Sequence, residues 1–334
     1  MDPITQGAFG AVFGQLHGRK KDLAKAATIG ALAGMAPDLD ILIRSDHDPL
    51  LALEFHRHFS HSLLFIPFGG LLVSLFLHPL LGRRWKLSYW QTLLWCIIGF
   101  STHALLDACT SYGTQLLWPL TNTRFTWEII SVIDPLVTVP ILILTILAAR
   151  RKVRLYAVMA VLWLILYFGF ASYQHGLALD EGKKLAESRG QSALNITAKP
   201  SFANIFVWKI VTETENRFYV DAIKPFGKQP KIWEGSSTAK LDIDRDFPWL
   251  DKTSTQAKDI ERFRWFSMGY LAVDNDNPNR IIDIRYSFLP QEIKALWGIE
   301  LSPTASTYDH IVYYTSEKSE RGAAIKGLWK MIWE

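Results

Sequence analysis

Four long apolar runs, at 62–82, 88–106, 135–149 and 155–173, dominate the first half of the chain. Most approach the roughly 20 residues that a helix needs to cross the hydrocarbon layer, so the pattern predicts four membrane spans. Two further runs, 4–16 and 26–43, are rich in small residues. Gly7, Gly10 and Gly14 recur at helical spacing, and Gly30 and Gly34 form a GxxxG, the pattern that lets helix backbones approach closely in a bilayer. The first run is short for a span and the second carries Asp38 and Asp40, so each reads as a span or as a re-entrant segment buried in protein.

Beyond residue 173 the period changes. A polar helix-like stretch at 180–189 precedes alternating segments at 202–211, 217–223, 281–288 and 310–315, separated by turn signals such as Asp274-Asn-Asp-Asn-Pro278. The expected architecture is an all-α polytopic membrane helical bundle over 1–173, followed over 174–334 by a soluble α+β domain, mainly antiparallel β. Aromatic residues in this second part, among them Trp208, Tyr219, Trp249, Trp265 and Trp297, are expected to pack a core rather than line a ligand groove. No internal repeat or catalytic motif stands out there, so this half does not disclose its role.

Charge supports the division. Residues 1–173 hold 14 basic and 10 acidic side chains, whereas 174–334 hold 22 of each, which excludes a single globular domain, a disordered chain and a rod. The net charge of +4 arises from the first half, where basic residues cluster beside apolar runs, so nucleic acid is not an expected partner. Eleven basic residues follow the first, third and fifth runs (Arg19 to Lys25, Arg83 to Lys86, Arg150 to Arg154), against Arg44, Arg57 and Arg124 in the intervening loops. By the positive-inside rule the first set is cytoplasmic, and the tail after Tyr173 lies outside the cytoplasm. Asp2 rather than a basic cluster precedes the first run, which speaks against a cleaved signal peptide. Two cysteines, Cys96 and Cys109, exclude a disulfide framework.

Ionisable residues within or at the ends of apolar spans are costly and usually mark function. Met35-Ala-Pro-Asp-Leu-Asp40 supplies two carboxylates and a proline that biases the chain to bend. His56-Arg-His-Phe-Ser-His61 supplies three imidazoles just ahead of a span, and His103 and Asp107 stand one helical turn apart. All three segments fall on the same predicted side of the membrane. Singly, each has a bland reading: a helix cap for Asp38 and Asp40, a structural hydrogen-bond pair for His103 and Asp107. Together they offer the ligand types that zinc, manganese or iron take. His58 reads as a bystander, and His17, His78, His175 and His310 as incidental, without acidic or imidazole neighbours in sequence.

The ordered set Met1-Asp-Pro-Ile-Thr-Gln-Gly, Pro37-Asp-Leu-Asp40, His56-Arg-His-Phe-Ser-His61-Ser, His103-Ala-Leu-Leu-Asp107 and Thr110-Ser-Tyr-Gly-Thr-Gln-Leu-Leu-Trp-Pro119 resembles the YdjM-like membrane-bound metal-dependent hydrolases of bacteria, over roughly residues 1–170. The resemblance implies an integral membrane protein with a metal centre. Carried over position by position, it assigns Asp38, Asp40, His56, His61, His103 and Asp107 to the metal and makes Asp134 a further acidic position. It also leads one to expect His in the opening Asp-x-x-Thr-His, where this chain has Gln6, whose carbonyl oxygen can still serve as a ligand.

The expected function is hydrolysis of an ester or phosphoester of a lipid or lipid-linked substrate at the extracytoplasmic membrane face. A divalent metal, zinc first and manganese or iron as alternatives, is the implied cofactor, and six ligands leave room for two ions sharing a carboxylate. Arg57 is a candidate bidentate donor to a phosphate, with an ion pair to Asp38 or Asp40 as the alternative, and Ser60, Thr110 and Tyr112 are candidates for orienting water or substrate. Membrane lipids and an amphiphilic small molecule are the expected partners, and the sequence leaves the oligomeric state open. Two other readings compete: an ion or metal transporter, for which the internal symmetry of paired half-helices is missing, and a non-catalytic scaffold with a structural metal.

Overall fold

The computed structural model describes residues 1–316 and 321–333. A helical N-terminal region is followed by antiparallel β-sheet, and the chain forms two compact units. The first comprises Met1–Leu42, Phe55–Ser172 and Phe202–Asn204, and the second Ile43–Glu54, Tyr173–Ser201 and Ile205–Glu334.

In the first unit, α1 (Pro3–His17) starts where the Asp2 carboxylate accepts from the Ile4 and Thr5 amides and Pro3 occupies the first turn. It packs on α2 (Leu23–Met35) through the small residues seen in the sequence: a Cβ at Gly10 would overlap the Gly30 carbonyl, and one at Gly30 would overlap the Gly10 carbonyl. A third helix, α5 (Tyr89–Ala108), joins them, because a Cβ at Gly99 would also meet Gly30. The expected bend follows α2, where Ala36–Leu42 tightens into a 3₁₀ turn carrying Asp38 and Asp40. The short α3 (Leu51–Phe55), almost all of which belongs to the second unit, precedes α4 (Ile66–Leu77), which is continuous with a 3₁₀ turn at Leu63–Phe65 before it and a wider π turn at His78–Gly82 after it. Helix α5 opens on a reciprocal Ser88–Gln91 capping box, and α6 (Pro135–Arg151) opens on Asp134 and Pro135. Helix α7 (Leu155–Ser188), whose residues from Tyr173 belong to the second unit, absorbs the polar stretch expected at 180–189 up to Ser188.

Two of the described helical segments, Leu63–Gly82 and Leu155–Ser188, are long and apolar enough to cross a membrane. The remaining expected spans differ for physical reasons. Helices α1, α2 and α6 have 15, 13 and 17 residues, at or below the lower end of the range for a crossing, and α5 has 20 but carries His103 and Asp107 among its polar positions.

Among the described residues, the second unit contains two four-stranded antiparallel meanders. The first comprises β1 (Asn195–Pro200), β2 (Trp208–Glu213), β3 (Arg217–Lys224) and β4 (Lys231–Ala239). After α8 (Ile243–Asp246) and α9 (Thr255–Phe266), the second comprises β5 (Leu271–Val273), β6 (Arg280–Asp283), β7 (Trp297–Glu300) and β8 (Val312–Thr315), and α10 (Arg321–Trp333) ends the described chain. Alternation in the sequence points to β3 and β8 over most of their length, to β2 only through 208–211 of the expected 202–211, and to β6 only through 281–283 of the expected 281–288. The other four strands, β1, β4, β5 and β7, carry no such signal; β4 is exposed along most of its length and β5 spans only 3 residues. Val211, Phe218 and Val220 of the first sheet pack with Tyr270, Ala272 and Ile282 in a shared core. Trp208 is fully buried as expected, but Trp249 and Trp265 lie 39% and 36% exposed at the surface.

One allegiance was not legible in the sequence. Residues 43–54 lie between two segments of the first unit yet belong to the second, where Arg262 of α9 pairs with Asp48 at 2.9 Å, Glu54 at 2.8 Å and Asp259 at 3.0 Å. His310 is likewise not incidental, because its Nδ1 lies 2.7 Å from Asp259 Oδ2.

Candidate metal centre

Three chain segments converge in the first unit. The last two turns of α5 present His103 and Asp107 from one helix face, and both side chains are fully buried. The turn after α2 brings Asp38 and Asp40. The segment 56–61 reaches the same point through Arg57, held at a φ of +64°, and a 3₁₀ turn over Phe59–His61.

At the centre lie four side chains, Asp38, His61, His103 and Asp107, close enough to hold one ion. His61 Nε2 and His103 Nε2 are 2.9 Å apart. Asp38 Oδ1 is 3.5 Å from the first and 3.3 Å from the second, and Asp107 Oδ2 is 3.2 Å and 3.6 Å from them.

The far side of each ring fixes its proton. His103 Nδ1 is 2.6 Å from the Gly34 carbonyl, which only accepts, so the Nδ1 proton points there. His61 Nδ1 is 3.0 Å from Ser60 Oγ and 3.2 Å from Asp40 Oδ2, and the Ser60 hydroxyl itself donates to Asp40 at 2.7 Å, leaving a lone pair for His61. A neutral imidazole at either position, with its proton on Nδ1, turns its Nε2 lone pair inward, towards two carboxylate oxygens. Asp107 Oδ2 is buried without an aligned hydrogen bond, although Arg57 Nε stands 3.0 Å away. Four acceptors facing one another suit a cation, and an Nδ1 proton held by a carbonyl or carboxylate is the usual support of a metal-binding histidine.

Around this centre, Asp40 works from behind. Its Oδ1 is 2.8 Å from His56 Nδ1, and its Oδ2 accepts from the Arg57 amide at 3.0 Å and from Ser60. Asp38, Asp40 and His56 also form a second group close enough to share an ion, with Asp38 common to both. Arg57 is buried and paired with Asp107 rather than with Asp38 or Asp40; its Nη1 donates to Thr110 Oγ1 at 3.0 Å and its guanidinium stacks 4.6 Å from the Tyr112 ring. Tyr112 also meets the His56 ring edge-on, with centroids 5.8 Å apart. Asp38 and His56 are the open side, with side chains 21% and 23% exposed.

The family model for the YdjM inner membrane protein matches residues 1–178, which includes every segment of this centre. The chain belongs to the YdjM inner membrane protein family. It is accordingly a membrane protein of the inner membrane. Comparison with curated proteins and with solved structures finds no match.

Two positions singled out by the family resemblance separate in the structure. Gln6 joins the centre, donating from Nε2 to Asp107 Oδ1 at 2.9 Å, where the Met1 amino group also binds. Asp134 does not: it caps α6 through the Leu136 and Val137 amides and accepts the Tyr167 hydroxyl at 2.7 Å. His58 lies away from the four-residue group, its ring 5.0 Å from that of Trp118. The support that sequence reasoning missed is the Gly34 carbonyl, a backbone atom with no signature of its own.

Proposed function

We propose that the helical half is a divalent-metal hydrolase acting on an ester or phosphoester of a lipid or lipid-linked substrate at the extracytoplasmic membrane face. The observation that carries the reading is the inward convergence of two imidazole Nε2 atoms and two carboxylate oxygens, with both Nδ1 atoms engaged elsewhere. Asp38, His61, His103 and Asp107 would hold the ion. Two nitrogens and two oxygens suit zinc first, and manganese or iron as alternatives. Such an ion supplies Lewis acidity towards an ester or phosphoryl oxygen and acidifies water.

The chain's own residues define the rest. Arg57 and Gln6 hold Asp107 in place and offset its buried charge. Asp40 and Ser60 keep His61 in its tautomer, and the Gly34 carbonyl does so for His103. Substrate approaches past Asp38, His56 and Tyr112. With Arg57 spent on Asp107 and Thr110, it acts in this reading as a positioning residue rather than as a phosphate clamp. Topologically, the proposal is a polytopic bundle with the basic clusters in the cytoplasm and the C-terminal domain outside it.

A structural metal in a non-catalytic scaffold is the second reading, favoured because four protein ligands would leave no open position on a four-coordinate ion. The partial exposure of Asp38 favours catalysis. The test is metal analysis of the detergent-purified chain and of His103→Ala, with both assayed on phospholipids and lipid-linked phosphates with and without chelator. One equivalent of metal lost in the variant, together with chelator-sensitive turnover, is the expected result. Metal retained in His103→Ala would sink the centre, and metal lost without turnover on any lipid would leave the scaffold.

A further inference from the structure

The end of the second unit shows a surface that the metal centre does not explain. Helix α10 buries Leu328 and Met331 in a small core with Val207 and Ala222. Its next face carries Ile325, Trp329 and Trp333 at i, i+4 and i+8, exposed to 39%, 55% and 79%. The two indoles stack, 6.4 Å between centroids and 8° from parallel. Lys326 and Lys330 follow on the adjoining exposed stripe.

The β3–β4 hairpin continues this face. Lys224 at its base donates to the Ile332 carbonyl in the last turn of α10 at 2.7 Å, which fixes the two elements side by side. The tip exposes Phe226 to 54% and Ile232 to 39%, with exposed Lys228 and Lys231 between and beside them. Across 224–232 and 321–333 there is no Asp or Glu.

We propose that α10 and the β3–β4 hairpin together form a docking surface for an anionic lipid bilayer. Tryptophans beside lysines, without carboxylates, match the headgroup layer, where indoles sit at the interface and ammonium groups meet lipid phosphates. A protein interface fits less well, since lysine is depleted from such contacts. Membership of an inner-membrane family also tethers the surface to a bilayer, so that weak, multivalent contacts suffice.

The test uses the full chain in nanodiscs, with the buried Cys96 and Cys109 replaced by Ala and bimane attached at Ile325→Cys. Acrylamide, a neutral quencher, reports exposure of the label in discs of phosphatidylcholine alone and in discs containing phosphatidylglycerol. Quenching several-fold weaker in the anionic discs is expected. Joint charge reversal of Lys228, Lys231, Lys326 and Lys330 to Glu should remove that difference, and Lys→Gln at the same positions should fall between. Equal quenching of the unreversed chain in both lipids overturns the proposal without reference to any variant. Protection that appears only in discs holding two copies would overturn it too, by making a second chain the occupant.

Discussion

Asp40 separates two descriptions of the centre, as an outer support of His61 or as a ligand of a second ion. Its two oxygens accept from His56 Nδ1 at 2.8 Å, the Arg57 amide at 3.0 Å and the Ser60 hydroxyl at 2.7 Å, and His61 Nδ1, bonded to Ser60, stands 3.2 Å away. Asp40→Asn keeps the shape but replaces one acceptor oxygen with an NH₂ group. Whichever way the amide turns, it presents N–H either to His56 or to the donors on Oδ2, and His61 loses the negative charge that holds its Nδ1 proton. Loss of such a partner typically weakens metal binding by about 10- to 100-fold, or about 1.4 to 2.8 kcal/mol. The expected outcome is one equivalent of metal at saturation, as in wild type, with the affinity lowered by that factor in a chelator-competition titration. His103→Ala should instead lose the equivalent itself. Unchanged affinity in Asp40→Asn would refute the supporting role. A fall from two equivalents to one would show that Asp38, Asp40 and His56 hold an ion of their own.

Three further outcomes test other parts of the molecule. Burial pushes the Lys209 amine from its ordinary 10.5 down to about 7, while Asp283 and Glu292 partly oppose the shift and Lys199 adds to it. The unfolded chain then binds the extra proton between those values, so stability of the second unit should rise with pH by up to about 1.4 kcal/mol per unit from pH 7 towards 10. Urea midpoints from pulse proteolysis should show that slope in wild type and lose it in Lys209→Met; an equal slope in both would assign it to other groups. Gly30→Ala forces a methyl into the Gly10 carbonyl, a backbone atom that cannot step aside, and should lower the detergent melting point by the equivalent of about 3 kcal/mol. Gly169→Ala, with nothing within 4 Å of the new methyl, is the control, and matching melts would contradict the close packing of α1 and α2. Alkaline phosphatase fused after Tyr173 should be active and green fluorescent protein dark, and the reverse pattern would overturn the orientation drawn from the basic residues.

Much of the chemistry was legible before any coordinates because it is local. His103 and Asp107 share a helix face by spacing alone, Pro37 bends the chain where the carboxylates sit, and the small residues of α1 and α2 announce close packing. The change of period near residue 173 marks where helix gives way to sheet because side-chain direction follows backbone repeat. What only the tertiary structure decided is the division of labour among groups distant in the chain. Which imidazole nitrogen faces inward depends on the Gly34 carbonyl and on Ser60 and Asp40, and the partner of Arg57 depends on where α5 ends. The family resemblance makes Asp134 a further acidic position without fixing its role, and its position at the start of α6 commits it to a helix cap. The loop at 43–54 carries no mark of its allegiance, because an ion pair between Asp48 and Arg262 spans 214 positions of sequence and is visible only once the chain has folded.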